Sequence, residues 1–322
     1  MIIGVESTAH TFGVGVCHKG KILANVRDMY HPLTGGIIPI EAGKHHTAVA
    51  ESLWKQALVD ASITEKDITA IAFSYAPGLA PCLLAGMRFV KTKAKLLGIP
   101  ILPVHHSIAH LEIGQSIGAK DPVLLYASGA NTQIIAYASG KYRIFGETLD
   151  VGIGNCLDKI ARAMHIPFPG GPHLEMSALR GKYHPLPYSV KGMDVSFSGL
   201  HNKALQLRAQ GMSAEDVACS VQETAFAMLV EASERALAHT GKREFVLGGG
   251  VACNARLQAM CKAMCKARGV TFFCPAKPLL IDNGAMIAYT GELLFKKKLC
   301  ISLPKLDIAP RERTDQVSVT WK

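Results

Sequence analysis

Ile2-Ile3-Gly4-Val5-Glu6-Ser7-Thr8-Ala9-His10-Thr11-Phe12-Gly13-Val14-Gly15-Val16 reads as a strand, a turn and a second strand. Lys19-Gly20-Lys21 then turns the chain into a third, Ile22-Leu23-Ala24. Branched apolar residues suit strands and the glycine marks the turn. The plan returns at Val123-Leu124-Leu125-Tyr126, followed by Ala127-Ser128-Gly129-Ala130-Asn131-Thr132 and Gln133-Ile134-Ile135-Ala136-Tyr137. A turn at Ser139-Gly140-Lys141 leads into Tyr142–Phe145. Ser7 lies 13 residues before Gly20, and Ser128 lies 12 before Gly140. This repetition predicts two related α/β lobes, each opened by a β-hairpin. The expected lobes are 1–120 and 121–322, with a boundary near Lys120-Asp121-Pro122 and the final helix packing back on the first lobe.

Apolar periodicity predicts helices over Ile40–Asp60, Pro81–Leu97, Asn155–Met164, Ala214–His239 and Asp282–Lys298, with short strands at Ala70–Ser74 and Val270–Phe273. A third glycine cluster, Gly248-Gly249-Gly250-Val251-Ala252, follows the apolar Phe245-Val246-Leu247 and opens a helix expected from about Ala252 to Arg268. Small turns let backbone N–H groups approach an anion unobstructed. Three such turns in this order, with the duplication, resemble the two-lobed actin-like ATPase (ASKHA) fold. That resemblance implies an α/β architecture of duplicated RNase H-like lobes.

The length of 322 residues suits two domains. A hydrophobic fraction of 49% against 19% charged residues describes a well-buried globular chain. No apolar run approaches the roughly 20 residues that a membrane helix needs. The chain opens on a strand-like run without a charged leader or cleavage site, so a cytoplasmic protein without membrane partners is expected. Nine scattered cysteines include no Cys-x-x-Cys pair, which argues against a zinc ribbon or dithiol redox motif and suits a reducing compartment. The net charge is +10, with 13 basic and 11 acidic residues over 1–150 and 22 and 14 over 151–322. The basic second half fits either a solvated surface or a polyanionic partner such as RNA. Arg88, Lys91 and Lys95 share a predicted helix face, with no aromatic platform for single-stranded bases beside them.

After Ile99-Pro100-Ile101-Leu102-Pro103-Val104 comes His105-His106-Ser107-Ile108-Ala109-His110. On a helix, His106 and His110 lie one turn apart on one face and can present two imidazoles to one ion. Read alone, the pair is equally two polar residues sharing a face. A zincin would place Glu after the first His, and this chain has Ser107 there.

Together, these segments resemble the universal tRNA threonylcarbamoyladenosine transferase family end to end. The matching motifs are Gly4-Val5-Glu6-Ser7-Thr8, Gly35-Gly36-Ile37-Ile38-Pro39 with His45-His46, the His106/His110 pair and Tyr126 through Thr132. They continue with Gly146-Glu147-Thr148-Leu149-Asp150 and Asp158, then Pro169-Gly170-Gly171-Pro172 with Glu175. Phe197-Ser198-Gly199-Leu200, Gly249-Gly250-Val251-Ala252 with Asn254, and Asp282-Asn283-Gly284-Ala285-Met286 complete the set. The tail from Pro310 to Trp321 resembles the archaeal and eukaryotic branch, whose members work in the KEOPS complex beside a small kinase-like ATPase and small accessory subunits. Some archaeal relatives are fused to that kinase, and this chain could be the front part of such a fusion.

The resemblance implies transfer of threonylcarbamoyl from threonylcarbamoyl-adenylate to the exocyclic amine of the tRNA adenosine 3′ of the anticodon. It implies a divalent metal, iron or zinc, held by His106, His110, Tyr126 and Asp282. It places the adenylate or ATP against Tyr126, Ala127, Ser128, Gly129 and Ala130, with Asp158, Gly171, Glu175 and Asn254 holding ribose and base. By residue type alone, Tyr126 reads as a core aromatic and Asp282 as a helix N-cap, a role compatible with ligation. Asp158 reads equally as a helix charge, and Glu175 as an early helix residue favoured by the dipole. His45-His46 could serve the substrate cleft or be surface or core polar residues. No general base stands out.

Two departures from the family pattern bear on the site. Ala130 replaces a glycine, and its methyl would crowd a phosphate if that backbone needs positive φ. His105 replaces an asparagine beside the ligand histidine and could alter the metal's surroundings. Competing readings are an actin-fold kinase, for which Glu6 is the nearby acidic candidate, and a non-catalytic nucleotide-dependent scaffold.

Overall fold

Lys19 (φ +50°) and Gly20 (φ +76°) both take the left-handed conformation, and so do Ser139 (φ +51°) and Gly140 (φ +78°). Two-residue links of this kind match the right-handed twist of flanking strands. They close the hairpins β2 (Thr11–His18) with β3 (Lys21–Met29) and β7 (Thr132–Ala138) with β8 (Lys141–Glu147). The computed structural model describes residues 1–32 and 36–322. Gly35 of the glycine pair before Pro39 lies outside the described residues.

In the first unit, β1 (Ile2–Glu6) pairs antiparallel with β2 and parallel with β4 (Ala70–Ala76), and β4 pairs parallel with β5 (Ile101–His105). The sheet order is β3-β2-β1-β4-β5. β1 and β2 are buried on both faces, which accounts for their near-continuous apolar sequence. Helix α1 (Pro39–Asp60) carries Pro39 in its first turn, where the missing N–H costs nothing. Helix α2 (Ala80–Leu97) stops at Gly98, whose φ of +64° ends the ladder. Trp54, Phe12, Phe73, Ile3 and Ile71 centre this unit's core. The seven-residue α3 (His106–Glu112) follows β5 directly.

The second unit repeats the plan. β6 (Val123–Ala127) pairs antiparallel with β7 and parallel with β11 (Glu244–Gly248), and β11 pairs parallel with β12 (Thr271–Phe273). Its order, β12-β11-β6-β7-β8, is that of the first sheet. The crossover between β8 and β11 holds α4 (Ile153–Ala163), α5 (Gly170–Ala178), the small pair β9 (Val190–Lys191) and β10 (Asp194–Val195), α6 (Ser198–Ala209) and α7 (Ala214–Thr240). Asp150 ties this crossover together by accepting from the backbone N–H groups of Phe197 (3.0 Å) and Ser198 (2.8 Å). After β11 come α8 (Ala255–Arg268) and the short α9 (Lys277–Leu280).

The units comprise Met1–Gly118 with Ile281–Lys322, and Ala119–Leu280. Residues 281–322, assigned by sequence order to the second lobe, therefore belong to the first unit, with α10 (Gly284–Lys296) among them. By unit, the first carries 17 basic and 13 acidic residues and the second 18 and 12, so the charge is more even than the sequence halves imply. Among the described residues, no helix is long and apolar enough to cross a membrane.

Candidate metal centre

Four glycines set the position of α10. A Cβ on Gly15 would lie 2.3 Å from the amide nitrogen of Ala285, and one on Gly4 would lie 2.2 Å from that of Ala288. A Cβ on Gly284 would be equally confined, 2.3 Å from Gly15 N, and one on Gly13 somewhat less, 2.9 Å from Gly284 N, so helix backbone rests directly on strand backbone. The segment leading into α10 carries Asp282 and Asn283. Asn283 Oδ1 accepts from Met286 N–H at 2.9 Å, which makes Asn283 the N-cap. Of the readings open for Asp282, the N-cap falls to Asn283 instead, which leaves the Asp282 carboxylate to meet α3.

One ligand atom each from His106, His110 and Asp282 falls within 4.8 Å of the others. The Nε2 atoms of both histidines stand 3.4 Å from Asp282 Oδ1. These separations are long for a good N–H···O bond, whose mode is about 2.9 Å. They match the roughly 3.4 Å edge of a tetrahedron around an ion with bonds of about 2.1 Å. Both imidazoles are buried, at 4% and 1% exposure. Burial pushes the His110 pKa down and keeps it neutral, the form that ligates. Burial alone would raise the Asp282 pKa, but the two imidazoles facing its carboxyl, His106 first, outweigh it and hold the group well below the usual range. Two neutral imidazoles and one carboxylate suit iron(II) or zinc.

Behind the cluster stands a residue to which the sequence assigned no metal role. Glu6, fully buried at the end of β1, accepts from His106 Nδ1–H at 2.9 Å. Its other oxygen accepts from Thr8 N–H at 2.7 Å and from the Thr8 hydroxyl. A lone acid closing an apolar strand was the available signal. These bonds occupy the carboxylate that the kinase reading needs.

His105 turns away from the cluster. Its Nε2–H donates to the Glu312 carbonyl at 3.3 Å, and burial lowers its pKa to about 4. Tyr75 also binds Glu312 through its hydroxyl, so the His105 imidazole belongs to the seat of the C-terminal segment. His46 is a core residue whose Nε2–H donates to Ala9 O at 3.0 Å, while His45 pairs with Asp28 at 2.8 Å.

The remaining site candidates lie in the second unit. Tyr126 is buried in β6, opposite Gln133 and Gly248. The loop after Ala127 folds onto α4, with Gly154 N–H donating to Ser128 O (3.0 Å) and Asn155 N–H to Gly129 O (2.8 Å). Gly249 (φ +92°) passes so close that a Cβ there would sit 2.3 Å from Ala127 O. Ala130 is not among the described residues with left-handed φ, so the expected strain of its methyl does not arise.

Asp158 Oδ1 accepts from Gly170 N–H (2.7 Å), beside Gly171, where an added Cβ would meet nothing within 4 Å. Glu175 Oε1 accepts from Ala255 N–H (2.7 Å). Asn254 Oδ1 accepts from Arg256 and Leu257 N–H, and its Nδ2 donates to Gln222. Glu175 and Asn254 thus close the start of α8. That helix begins at Ala255 rather than Ala252, because Gly250–Cys253 forms a 3₁₀ turn.

A repeated five-stranded α/β unit defines an actin-like ATPase fold, and its first copy carries a buried two-histidine, one-carboxylate cluster. HypF from T. kodakarensis shares this fold at a TM-score of 0.65 and 15% identity, over 92% of this chain and 48% of that one. The model of the family TsaD, tRNA N6-adenosine threonylcarbamoyltransferase, matches residues 21–289, and the chain belongs to that family. It is 50% identical to the tRNA N6-adenosine threonylcarbamoyltransferase of Thermococcus kodakarensis, over 99% of both chains. It is also 50% identical to a probable bifunctional tRNA threonylcarbamoyladenosine biosynthesis protein of Methanosarcina mazei, covering 99% of this chain and 59% of the relative. The chain thus spans about three-fifths of the length of the bifunctional relatives it matches.

Proposed function

We propose that this chain transfers a threonylcarbamoyl group to the exocyclic amine of the adenosine 3′ of the anticodon in tRNA. The observation that carries this reading is the end-to-end identity with relatives bearing that activity in their names. The donor is threonylcarbamoyl-adenylate, a mixed anhydride. An aryl amine is a weak nucleophile because its lone pair is delocalised, so it needs an activated carbonyl and a stabilised leaving phosphate.

His106, His110 and Asp282 hold a divalent metal, iron in first place and zinc in second. Tyr126 is a further candidate ligand on the family resemblance alone, and Tyr126→Phe tests it. When bound, the ion supplies positive charge to the departing phosphate. The chain's own residues bind and orient. Ser128, Gly129 and Ala130 offer exposed backbone on a loop pinned to α4, while Asp158, Glu175 and Asn254 are polar groups already fixed by hydrogen bonds. A carboxylate can accept further bonds from ribose hydroxyls. Holding donor and amine together supplies much of the rate.

The setting is cytoplasmic, in a KEOPS-type complex with a small kinase-like ATPase and small accessory subunits. The bifunctional relatives support a fused partner domain. The test is mass spectrometry of nucleosides after reaction of chain, partners, unmodified tRNA and a donor-making synthase with threonine, bicarbonate and ATP. Threonylcarbamoyladenosine that disappears with His106→Ala is expected. Product that persists with the variant removes the metal assignment; no product with verified donor and partners overturns the transferase reading.

A further inference from the structure

We infer that Glu6 is a positioning residue that sets the tautomer of His106 and thereby the affinity of the metal centre. The inference rests on the metal reading above and concerns a residue outside the three-ligand cluster, bonded to His106.

The argument is a proton count. His106 Nδ1 stands 2.9 Å from Glu6 Oε2 and 3.3 Å from Thr8 Oγ1. The single hydroxyl proton of Thr8 is committed to Glu6 Oε1, so Thr8 offers His106 only lone pairs. Glu6, as a carboxylate, offers only lone pairs as well. Both neighbours are acceptors, so the proton between them belongs to Nδ1. A neutral His106 then carries its lone pair on Nε2, the atom 3.4 Å from Asp282.

The arrangement is held rigidly. Ser7 N–H donates to Ser74 Oγ at 3.0 Å, and Leu79 N–H donates to Thr8 O at 2.7 Å. A Cβ on Gly78 would lie 2.5 Å from Thr8 O, so only glycine lets that strand end close on the turn. A carboxylate with 0% exposure is costly unless its oxygens are satisfied. Carboxylates hydrogen-bonded to the far nitrogen of a ligand histidine orient the ring and raise its basicity.

The test is cobalt(II) titration of the full-length chain, followed by visible absorption, with no activity assay involved. Glu6→Gln keeps the shape but turns an NH2 donor toward either His106 or Thr8. The expected result is a Kd raised about 10- to 100-fold with an altered cobalt spectrum, while His106→Ala binds no cobalt. Glu6→Gln that binds with wild-type affinity and spectrum, while His106→Ala does not bind, overturns the inference and leaves the metal reading intact. A wild-type chain that takes up no cobalt overturns the metal reading and this inference with it.

Should Glu6→Gln fail to fold, Thr8→Val is expected to raise the Kd by a smaller factor, and unchanged affinity counts against the proposal. Nitrogen-15 histidine spectra of the zinc-loaded wild-type chain are expected to show His106 protonated at Nδ1. Metallation through Nδ1 overturns it.

Discussion

Asp282 and Asn283 are neighbours with separate tasks, and substitution should separate them. Asp282→Asn keeps the shape and leaves the helix cap in place, so the fold should persist while cobalt(II) binding in the titration above is lost. Asn283→Ala removes the cap of α10 and should cost about 0.5–2 kcal/mol in denaturant unfolding. His46 carries a pH dependence. Burial lowers its pKa to about 4 from 6.5, so the unfolded chain binds a proton that the folded chain refuses between those values. Its stabilising contribution is complete above about pH 6.5 and is lost as pH falls toward 4. The melting temperature should fall across that window, more shallowly in His46→Asn. Burial lowers His105 to about 4, which adds a slope of the same sign.

At the scale of elements, the seat of α10 on β1 and β2 decides whether the centre exists. The helix is clamped again eight residues on, where Glu292 accepts from Lys19 and Gly20 N–H, each at 2.6 Å, in the first hairpin turn. Gly15→Ala would drive a methyl into Ala285 N and lift the helix. It should destabilise the chain by about 1–3 kcal/mol or more and weaken cobalt binding, although residue 15 is not a ligand. Gly199→Ala on α6 is the contrast, since a Cβ there meets only Pro187 Cβ at 3.8 Å. It should be neutral or stabilising by up to about 1 kcal/mol. Equal losses from the two substitutions, measured by denaturation, would refute the backbone-contact account.

At the scale of the molecule, the net charge of +10 bears on the proposed tRNA substrate. Anisotropy titrations with unmodified tRNA should show log Kd rising with log salt, by about 0.7–0.9 per phosphate neutralised. A flat response would count against direct tRNA binding by this chain. The strands and hairpins of both units were legible because turn residues and apolar alternation are local signals, and so was the His106/His110 pair, which needs only helical spacing. Both start signals of α10 lay in the Asp282-Asn283 pair, and choosing between two adjacent capping side chains needed the structure. The partnership of Glu6 with His106 spans 100 residues, and that of Asp282 with His110 spans 172. No periodicity encodes such pairs, and although the sequence predicts that the final helix packs back on the first lobe, none encodes that all of residues 281–322 belong to the first unit. They follow from which sheet offers a glycine-lined surface for a helix to touch backbone to backbone, a matter of packing between distant segments. Local chemistry wrote two hairpin-led lobes and the histidine half of the candidate metal site into the chain; long-range packing supplied the carboxylate and the buried acid behind it.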